Sequence, residues 1–343
     1  MNINATDILN KLLAGSDLAQ EEAAALLQKM AGGDLEPALA GALLTALRAK
    51  GESAGEIRGF ALAMRELARR PAIAKGPDYV DIVGTGGDGS GSLNLSTGSA
   101  LLAAACGLEV VKHGNRSVTS QSGSADVLAA IGLPIPLDKH AAGRCLEETG
   151  FTFLFAPHYH PAMKHIAPIR VALGVRTVFN ILGPLVNPAE PPYHVIGAPS
   201  EHVAELMAST LAGLPIRRAF VIHGAAGWDE ATPIGPFVCY DVTVGNVVRA
   251  VRDPSDYGLP VCGEDSLRGS DARTNAARLR AALSGGDTSA HVDALVLGAA
   301  LALEVTGNVD DARAAVQRAR KAIDDGSAKW LLERLDGFSK AHR

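Results

Sequence analysis

From residue 79 onward, short apolar runs alternate with helical patterns, and this alternation restricts the possible folds more than any other feature of the chain. YVDIV (79–83), LEVV (108–111) and FTFLFA (151–156) read as strands. Helical patterns fall between them near Thr97 to Ala105, Ser124 to Ile131 and Ala141 to Thr149. Strands joined through helices pair in parallel, and a parallel sheet is covered by helices on both faces. Further strands are expected at AFVIHG (219–224), FVCYDVTV (237–244) and VVRAV (247–251). Alanine-rich helical patterns follow at Asp271 to Leu283, His291 to Val305 and Asp310 to Leu335.

The chain before residue 70 has a different period. Ile8, Leu12 and Leu13, then Leu26, Leu27 and Met30, then Leu39, Leu43, Leu44 and Leu47 recur at helical spacing, broken at GS, AGGD and KGES. Several short helices and no strand are expected there. Asp34 and Ser53 are candidate N-caps, and Glu56 completes a possible capping box with Ser53. ARRPAIAKGP (68–77) changes composition and carries two prolines, as a linker would. The expected fold class is α/β: a small all-helical N-terminal domain over residues 1–70, then a large α/β domain with a mainly parallel central sheet.

Composition removes several function classes. With 343 residues and 47% hydrophobic content the chain can bury a large core. No apolar run reaches the ~18 residues that span a bilayer, and the start lacks a basic segment followed by an apolar one. A cytoplasmic location without membrane association is the expectation. Cys106, Cys145, Cys239 and Cys262 are far apart with no CxxC pair, which argues against a zinc site or a disulfide framework. The formal charge of −5 contains no basic block, so no nucleic-acid partner is expected.

Three glycine- and hydroxyl-rich clusters carry the chemistry: GTGGDGSGSLNLSTGS (84–99), KHGNRS (112–117) and SQSGSAD (120–126). Each sits where an apolar run gives way to a helical pattern. Backbone N–H groups at glycine turns and helix N-termini attract anions, so the density points to a ligand with more than one phosphate. Gly84, Gly86 and Gly89 satisfy GxGxxG, yet the second strand ends in Lys112 where a dinucleotide fold wants an acid, and the loop runs on through Asn94, Ser96 and Thr97. A Walker A loop is excluded because no Lys-Ser or Lys-Thr follows the glycines. Asp229-Glu230 follows a strand and turn, a position suited to magnesium, whereas Glu21-Glu22, Glu147-Glu148, Glu264-Asp265, Asp310-Asp311 and Asp324-Asp325 fall in helical or turn patterns. His158, His160 and His165 do not match a zinc signature and read as a loop lining a ligand pocket.

GTGGDG, NLST, KHGNRS, GSADVL, FLFAPHYHPAMKH, GVRTVFNILGPLVNPA and finally DE form an ordered series that resembles the anthranilate phosphoribosyltransferases of tryptophan biosynthesis. The resemblance covers nearly the whole chain. It implies the nucleoside phosphorylase and phosphoribosyltransferase type of fold, with a segment at about 163–182 returning to the helical domain. Residues 71–162 and 183–343 are then left to the α/β domain. The implied reaction joins anthranilate to phosphoribosyl pyrophosphate with Mg2+, releasing pyrophosphate, in a homodimer formed through the helical domain.

By the same resemblance, Gly84, Gly87, Asp88, Ser92, Asn94, Leu95, Ser96, Thr97, Lys112, His113, Gly114, Asn115, Arg116, Ser117, Val118, Thr119, Ser120 and Ser124 would hold phosphoribosyl pyrophosphate. Gly84, Asn115, His113, His160, Arg170 and Pro184 would hold anthranilate, and Ser96, Asp229 and Glu230 the metal. Lys112, Arg170 and Asn115 are the expected catalytic residues. Three positions depart from the family pattern: Ser92 and Leu93 replace threonine and phenylalanine, and Gly298 stands where asparagine is usual, a packing change in a helix. ATPIGPFVCYDV after Glu230 is also less typical. A pyrimidine nucleoside phosphorylase and a non-catalytic nucleic-acid-binding relative share the scaffold; the intact NLST, YHPAMKH and Asp229-Glu230 argue against the first, and the acidic balance against the second.

Overall fold

The computed structural model describes residues 3–74, 78–117 and 121–342. Its first part is a bundle of four helices, α1 (Ala5–Leu13), α2 (Gln20–Gly32), α3 (Pro37–Lys50) and α4 (Ala54–Glu66). Ser53 and Glu56 form the expected capping box, Glu56 N donating to Ser53 Oγ (3.3 Å) and Ser53 N to Glu56 Oε2 (2.7 Å). Asp34 caps nothing; Pro37 opens α3, so the cap falls on Glu36. Helices α2 and α4 cross closely because position 59 has no side chain: a Cβ there would lie 2.2 Å from the Gln20 carbonyl oxygen. Leu26, Leu27, Leu43, Ile57 and Phe60 fill the interior; burying one such side chain contributes about 1.5–3 kcal/mol.

Seven strands form one sheet: β1 (Val80–Gly84), β2 (Val110–Gly114), β3 (Phe151–Phe155), β4 (Tyr193–Gly197), β5 (Arg218–His223), β6 (Phe237–Thr243) and β7 (Asn246–Arg252). Their order is β3-β2-β1-β4-β5-β6-β7. The first five in that order pair in parallel, and β6 and β7 extend the sheet antiparallel. Strand β4 was not expected: in PPYHVIG only Val195 and Ile196 are aliphatic, yet His194 is fully buried between β1 and β5.

Helices α5 (Leu95–Ala105), α6 (Ser124–Ile131) and α7 (Lys139–Thr149) join the first strands. A short α8 (Ala156–Tyr159), α9 (Met163–Leu173) and a short α10 (Phe179–Leu182) then lead back to the bundle, where α9 packs on α2 and α3 and Phe179 meets Phe60 edge to face at 6.0 Å. Helix α11 (Glu201–Leu211), also absent from the sequence reading, packs against α4, β5 and β6. Helices α12 (Ala272–Ala282), α13 (Ser289–Val305), α14 (Ala312–Asp324) and α15 (Ser327–Ala341) close the chain. The last two were expected as one pattern; Gly326, with φ of 82°, separates them. One apolar core lies on the α5 and α13 face of the sheet, and a second runs from the bundle onto the α11 face. Gly298 brings α13 against α5, since a Cβ there would sit 2.2 Å from Ser99 Oγ. Among the described residues no helix is long and apolar enough to cross a membrane.

Strand order reverses between β1 and β4, and in open α/β sheets ligands bind in the crevice beyond the carboxyl ends of the strands at such a switch point. Gly84 ends β1 and Gly197 ends β4, paired in register. The site is built above them.

Candidate active site

After Gly84 the chain turns through Gly86, Gly87, Gly89 and Gly91, with φ of 71°, 77°, 77° and 61°. Glycine adopts this left-handed backbone without the strain a side chain brings. Asp88 steadies the loop, accepting from Ser90 N (3.1 Å) and from Asp229 N (3.2 Å). Ser92 lies beside the acids, its Oγ 3.4 Å from Glu230 Oε2. Asn94 stands at the start of α5. The side chains of Leu95 and Thr97 turn inward and are buried, so these two residues can offer a ligand only backbone. Ser96 remains at the crevice, with its N–H donating to Glu230 Oε1 at 2.8 Å.

Strand β2 delivers Lys112 and His113. The Lys112 ammonium, 1% exposed, donates to the Ile82 carbonyl and reaches Ser96 Oγ at 3.5 Å. Burial pushes its pKa down to about 8, against the opposing pull of Asp81, Glu230 and Asp229. Gly114 makes room for Ser124, whose Oγ would lie 2.4 Å from a Cβ there; that hydroxyl donates to the Asn115 carbonyl (3.2 Å). Asn115 is exposed, its Oδ1 accepting from Arg116 N at 2.7 Å. Arg116 is paired with Asp126 (2.9 Å), which also accepts from Ser117 N (3.3 Å), so its charge is already engaged. Val118, Thr119 and Ser120 lie outside the described residues.

Asp229 and Glu230 follow β5 and hang over the switch point. A Cβ on Gly197 would lie 1.4 Å from the Asp229 carbonyl oxygen, and one on Gly84 2.4 Å from Asp229 Oδ2. Asp229 Oδ2 accepts from Gly86 N at 2.6 Å. Burial, then the neighbouring Asp88, pushes the Asp229 carboxyl up to about 7; burial, then Asp229, holds Glu230 well above its usual range. Crowded acids of this kind are stabilised by a cation. Among the described residues no three His, Cys, Asp or Glu side chains gather as a ready metal cage. Magnesium takes one or two carboxylates and fills its other positions with water and phosphate oxygens. Asp229, Glu230 and the Ser96 hydroxyl are a donor set of this type.

Across the crevice, His113 and His160 meet edge to face at 5.1 Å, both 2% exposed. Burial pushes His113 down to about 3 and His160 to about 4, so both rings are neutral near pH 7. His113 Nδ1 lies 3.1 Å from the Gly183 carbonyl, which places buried Pro184 at the same wall. His113 Nε2 is buried with no hydrogen bond among the described residues. Arg170, on α9, stacks over Phe179 at 5.5 Å. No hydrogen bond joins Arg170 to Asn115 among the described residues.

Three contributors escaped the sequence reading. Arg176, just after α9, donates to the Gly87 carbonyl and ties the returning segment to the glycine loop. Asp81, fully buried, accepts from Asn187 Nδ2 (2.8 Å) and His113 N (3.3 Å), fixing β2 against the chain that leaves the returning segment. Asn275, from α12, reaches Asn94. Arg176 and Asn187, the partner of Asp81, both stand in GVRTVFNILGPLVNPA, which was the visible signal; Asn275 lies in none of the motifs.

Residues 6–68 match the helical bundle domain, and residues 76–329 the a/b domain, of a glycosyl transferase family. The chain is 44% identical to the anthranilate phosphoribosyltransferase of Methylobacterium nodulans over 97% of its own length and 98% of the relative's. It is 42% identical to that of Herpetosiphon aurantiacus, over 93% and 94%. Among solved structures, the anthranilate phosphoribosyltransferase of Thermus thermophilus superimposes with a TM-score of 0.90 at 41% identity, covering 97% of this chain and 99% of that one. The Saccharomyces cerevisiae protein, in complex with PRPP and Mg, superimposes at 0.82 with 27% identity, covering 98% and 94%. Full-length likeness of this strength, over a crevice with this donor set, shows that the chain belongs to the anthranilate phosphoribosyltransferase family.

Proposed function

We propose that the crevice transfers the phosphoribosyl group of phosphoribosyl pyrophosphate to the amine of anthranilate, and that its residues divide into two halves. The glycine loop from Gly84 through Gly87 and Asp88, with Ser92, Asn94, Ser96, Lys112, Asn115 and Ser124, holds the phosphates and ribose. His113, His160, Pro184, Asn115 and Arg170 hold anthranilate, the guanidinium meeting its carboxylate. Magnesium, bound through Asp229, Glu230 and Ser96, would neutralise pyrophosphate charge. The observation that carries this reading is the crowded pair of carboxylates, Asp229 buried and Glu230 half-buried, tied to Gly86 N and Ser96 N over the strand ends.

An arylamine is neutral at pH 7, so its lone pair can attack C1 of the ribose without prior deprotonation. The C1–O bond to pyrophosphate breaks as the N–C1 bond forms, and the electron pair leaves with pyrophosphate. The arylammonium produced is a strong acid and gives its proton to water or to the departing pyrophosphate. Lys112 supplies fixed positive charge where that negative charge develops, which is electrostatic stabilisation in a site shielded from water. Arg170 and the histidine wall orient the amine, converting an encounter into a positioned reaction. No side chain has to form a covalent intermediate.

The test is direct. Purified chain with magnesium and phosphoribosyl pyrophosphate is expected to consume anthranilate fluorescence; folded protein that leaves the signal unchanged, or that instead cleaves pyrimidine nucleosides with orthophosphate, overturns the assignment.

The proposal includes the division into a domain of residues 1–70 with the returning 163–182 and a domain of the rest, a cytoplasmic location, and a homodimer. An apolar groove of about 950 Å³ between α1, α3 and α9, lined by Leu9, Leu13, Leu35, Ile169 and Leu173, supports a second copy as its occupant. Sedimentation should give a dimer that Leu13→Glu dissociates, and a monomeric parent chain would remove this part.

A further inference from the structure

We infer that Asn275 is a positioning residue for the phosphoribosyl pyrophosphate half of the site, acting through Asn94; the inference rests on the reading of Asn94 given above. Asn275 lies in the first turn of α12 and is 1% exposed. Both hydrogens of its Nδ2 are used, one toward Asn94 Oδ1 (2.9 Å) and one toward Ser122 Oγ (2.9 Å). Its Oδ1 accepts from Ser270 N at 2.7 Å. Asn94 Nδ2 in turn donates to the Ser122 carbonyl (3.1 Å), and Ser122 Oγ donates to Asn94 Oδ1 (3.0 Å).

These bonds, with the Ser122 hydroxyl also 3.4 Å from the Ser270 carbonyl, decide which way the Asn94 amide faces. Its oxygen is occupied by two donors, so the group it has left is the second N–H of Nδ2, which makes no hydrogen bond among the described residues. A donor, not an acceptor, is therefore presented to the crevice, and a polyanionic substrate needs donors. Without Asn275 the Asn94 oxygen loses one of its two donors, and the Ser122 carbonyl and hydroxyl alone are left to hold the amide, so the N–H facing the crevice is positioned less firmly. A buried donor or acceptor left without its partner is costly, which makes one orientation dominant.

The segment leading to Asn275 braces the same loop from outside. Leu93 N donates to the Leu267 carbonyl (2.9 Å), and Gly269 N to the Gly91 carbonyl (2.8 Å). A Cβ on Gly269 would lie 2.4 Å from the Ser92 carbonyl oxygen, so the two strands of chain run in contact. The NLST turn is thus held from the C-terminal third of the chain as well as by the sheet.

Steady-state kinetics of the full chain with magnesium test this. Asn275→Ala should raise KM for phosphoribosyl pyrophosphate about tenfold while leaving that for anthranilate within about twofold, the scale of one or two lost positioning hydrogen bonds. In an Asn94→Ala background the same substitution should change either KM by less than about twofold, because the residue through which it acts is gone. Ser122→Ala should give a smaller rise in the same constant and serves if Asn275→Ala does not fold. An unchanged constant for phosphoribosyl pyrophosphate, or an equal effect with and without Asn94, overturns the inference and leaves Asn275 a structural residue. If Asn94→Ala alone has no effect, the assignment of Asn94 fails, and the inference with it.

Discussion

The two halves of the crevice are built in opposite ways. The side proposed for the phosphates is made of glycine turns and acids, locked by hydrogen bonds that reach from Gly86 to Asp229 and from Ser96 to Glu230. On the side proposed for the arylamine the wall is two neutral histidines, a proline and a half-buried arginine; His113 comes from β2, whereas Arg170 is carried by α9, which packs on α2 and α3 of the bundle. In the proposed reading, charge is met by backbone N–H groups and buried Lys112 in one half and by the Arg170 guanidinium in the other. In the proposed division Asn115 belongs to both halves, and the Arg176 hydrogen bond to the Gly87 carbonyl ties the returning segment to the glycine loop.

The sharpest way to break this division is to remove the acids. Asp229→Ala combined with Glu230→Ala should lower kcat/KM by roughly a thousandfold and shift the magnesium dependence, with anthranilate affinity nearly unchanged. Arg170→Ala should act on the other side alone, raising KM for anthranilate roughly 10- to 100-fold, as expected when a charge-assisted hydrogen bond is lost, while KM for phosphoribosyl pyrophosphate stays level. The reverse pattern in these two variants would mean the halves have been exchanged.

The smallest effect is on stability. In the folded chain burial keeps His160 neutral down to about pH 4, whereas unfolded histidine titrates near 6.5. Between those values the unfolded state binds more protons, so this residue's contribution to stability falls as pH drops from 6.5 toward 4 and is flat above 6.5. Buried acids such as Asp81, pushed up to about 6 by burial, work in the opposite sense, so a difference measurement is needed. From pH 7.5 to pH 5, urea unfolding should show the parent chain losing about 1–2 kcal/mol relative to His160→Asn. A gap that does not change with pH would show that the ring protonates in place.

Much of this architecture could be read before any coordinates. The βα alternation from YVDIV onward and the helical spacing before residue 70 give the fold class, because each follows from local periodicity. Strand β4 could not be read that way: two prolines precede it and a histidine occupies a core position, so its burial comes from neighbours far along the chain. The glycine loop and Asp229-Glu230 stood out because their chemistry is written in adjacent residues. Asp81 and Asn275 did not, since each looks like an ordinary strand or helix residue until folding brings it to a partner; Arg176 stands inside GVRTVFNILGPLVNPA, but its partner, the Gly87 carbonyl, is not written near it. Leu95 and Thr97 show the converse: they sit inside a site motif, yet their side chains belong to the interior.

Asp229 and Glu230 are suspended between two positions that have no side chain. A Cβ on Gly197 would collide with the Asp229 backbone, and one on Gly224 would lie 2.0 Å from the Glu230 carbonyl oxygen. An alanine scan scored only by turnover would therefore place both glycines among the substrate contacts. Their contribution is clearance, and a melting temperature that drops with the activity would tell the two apart.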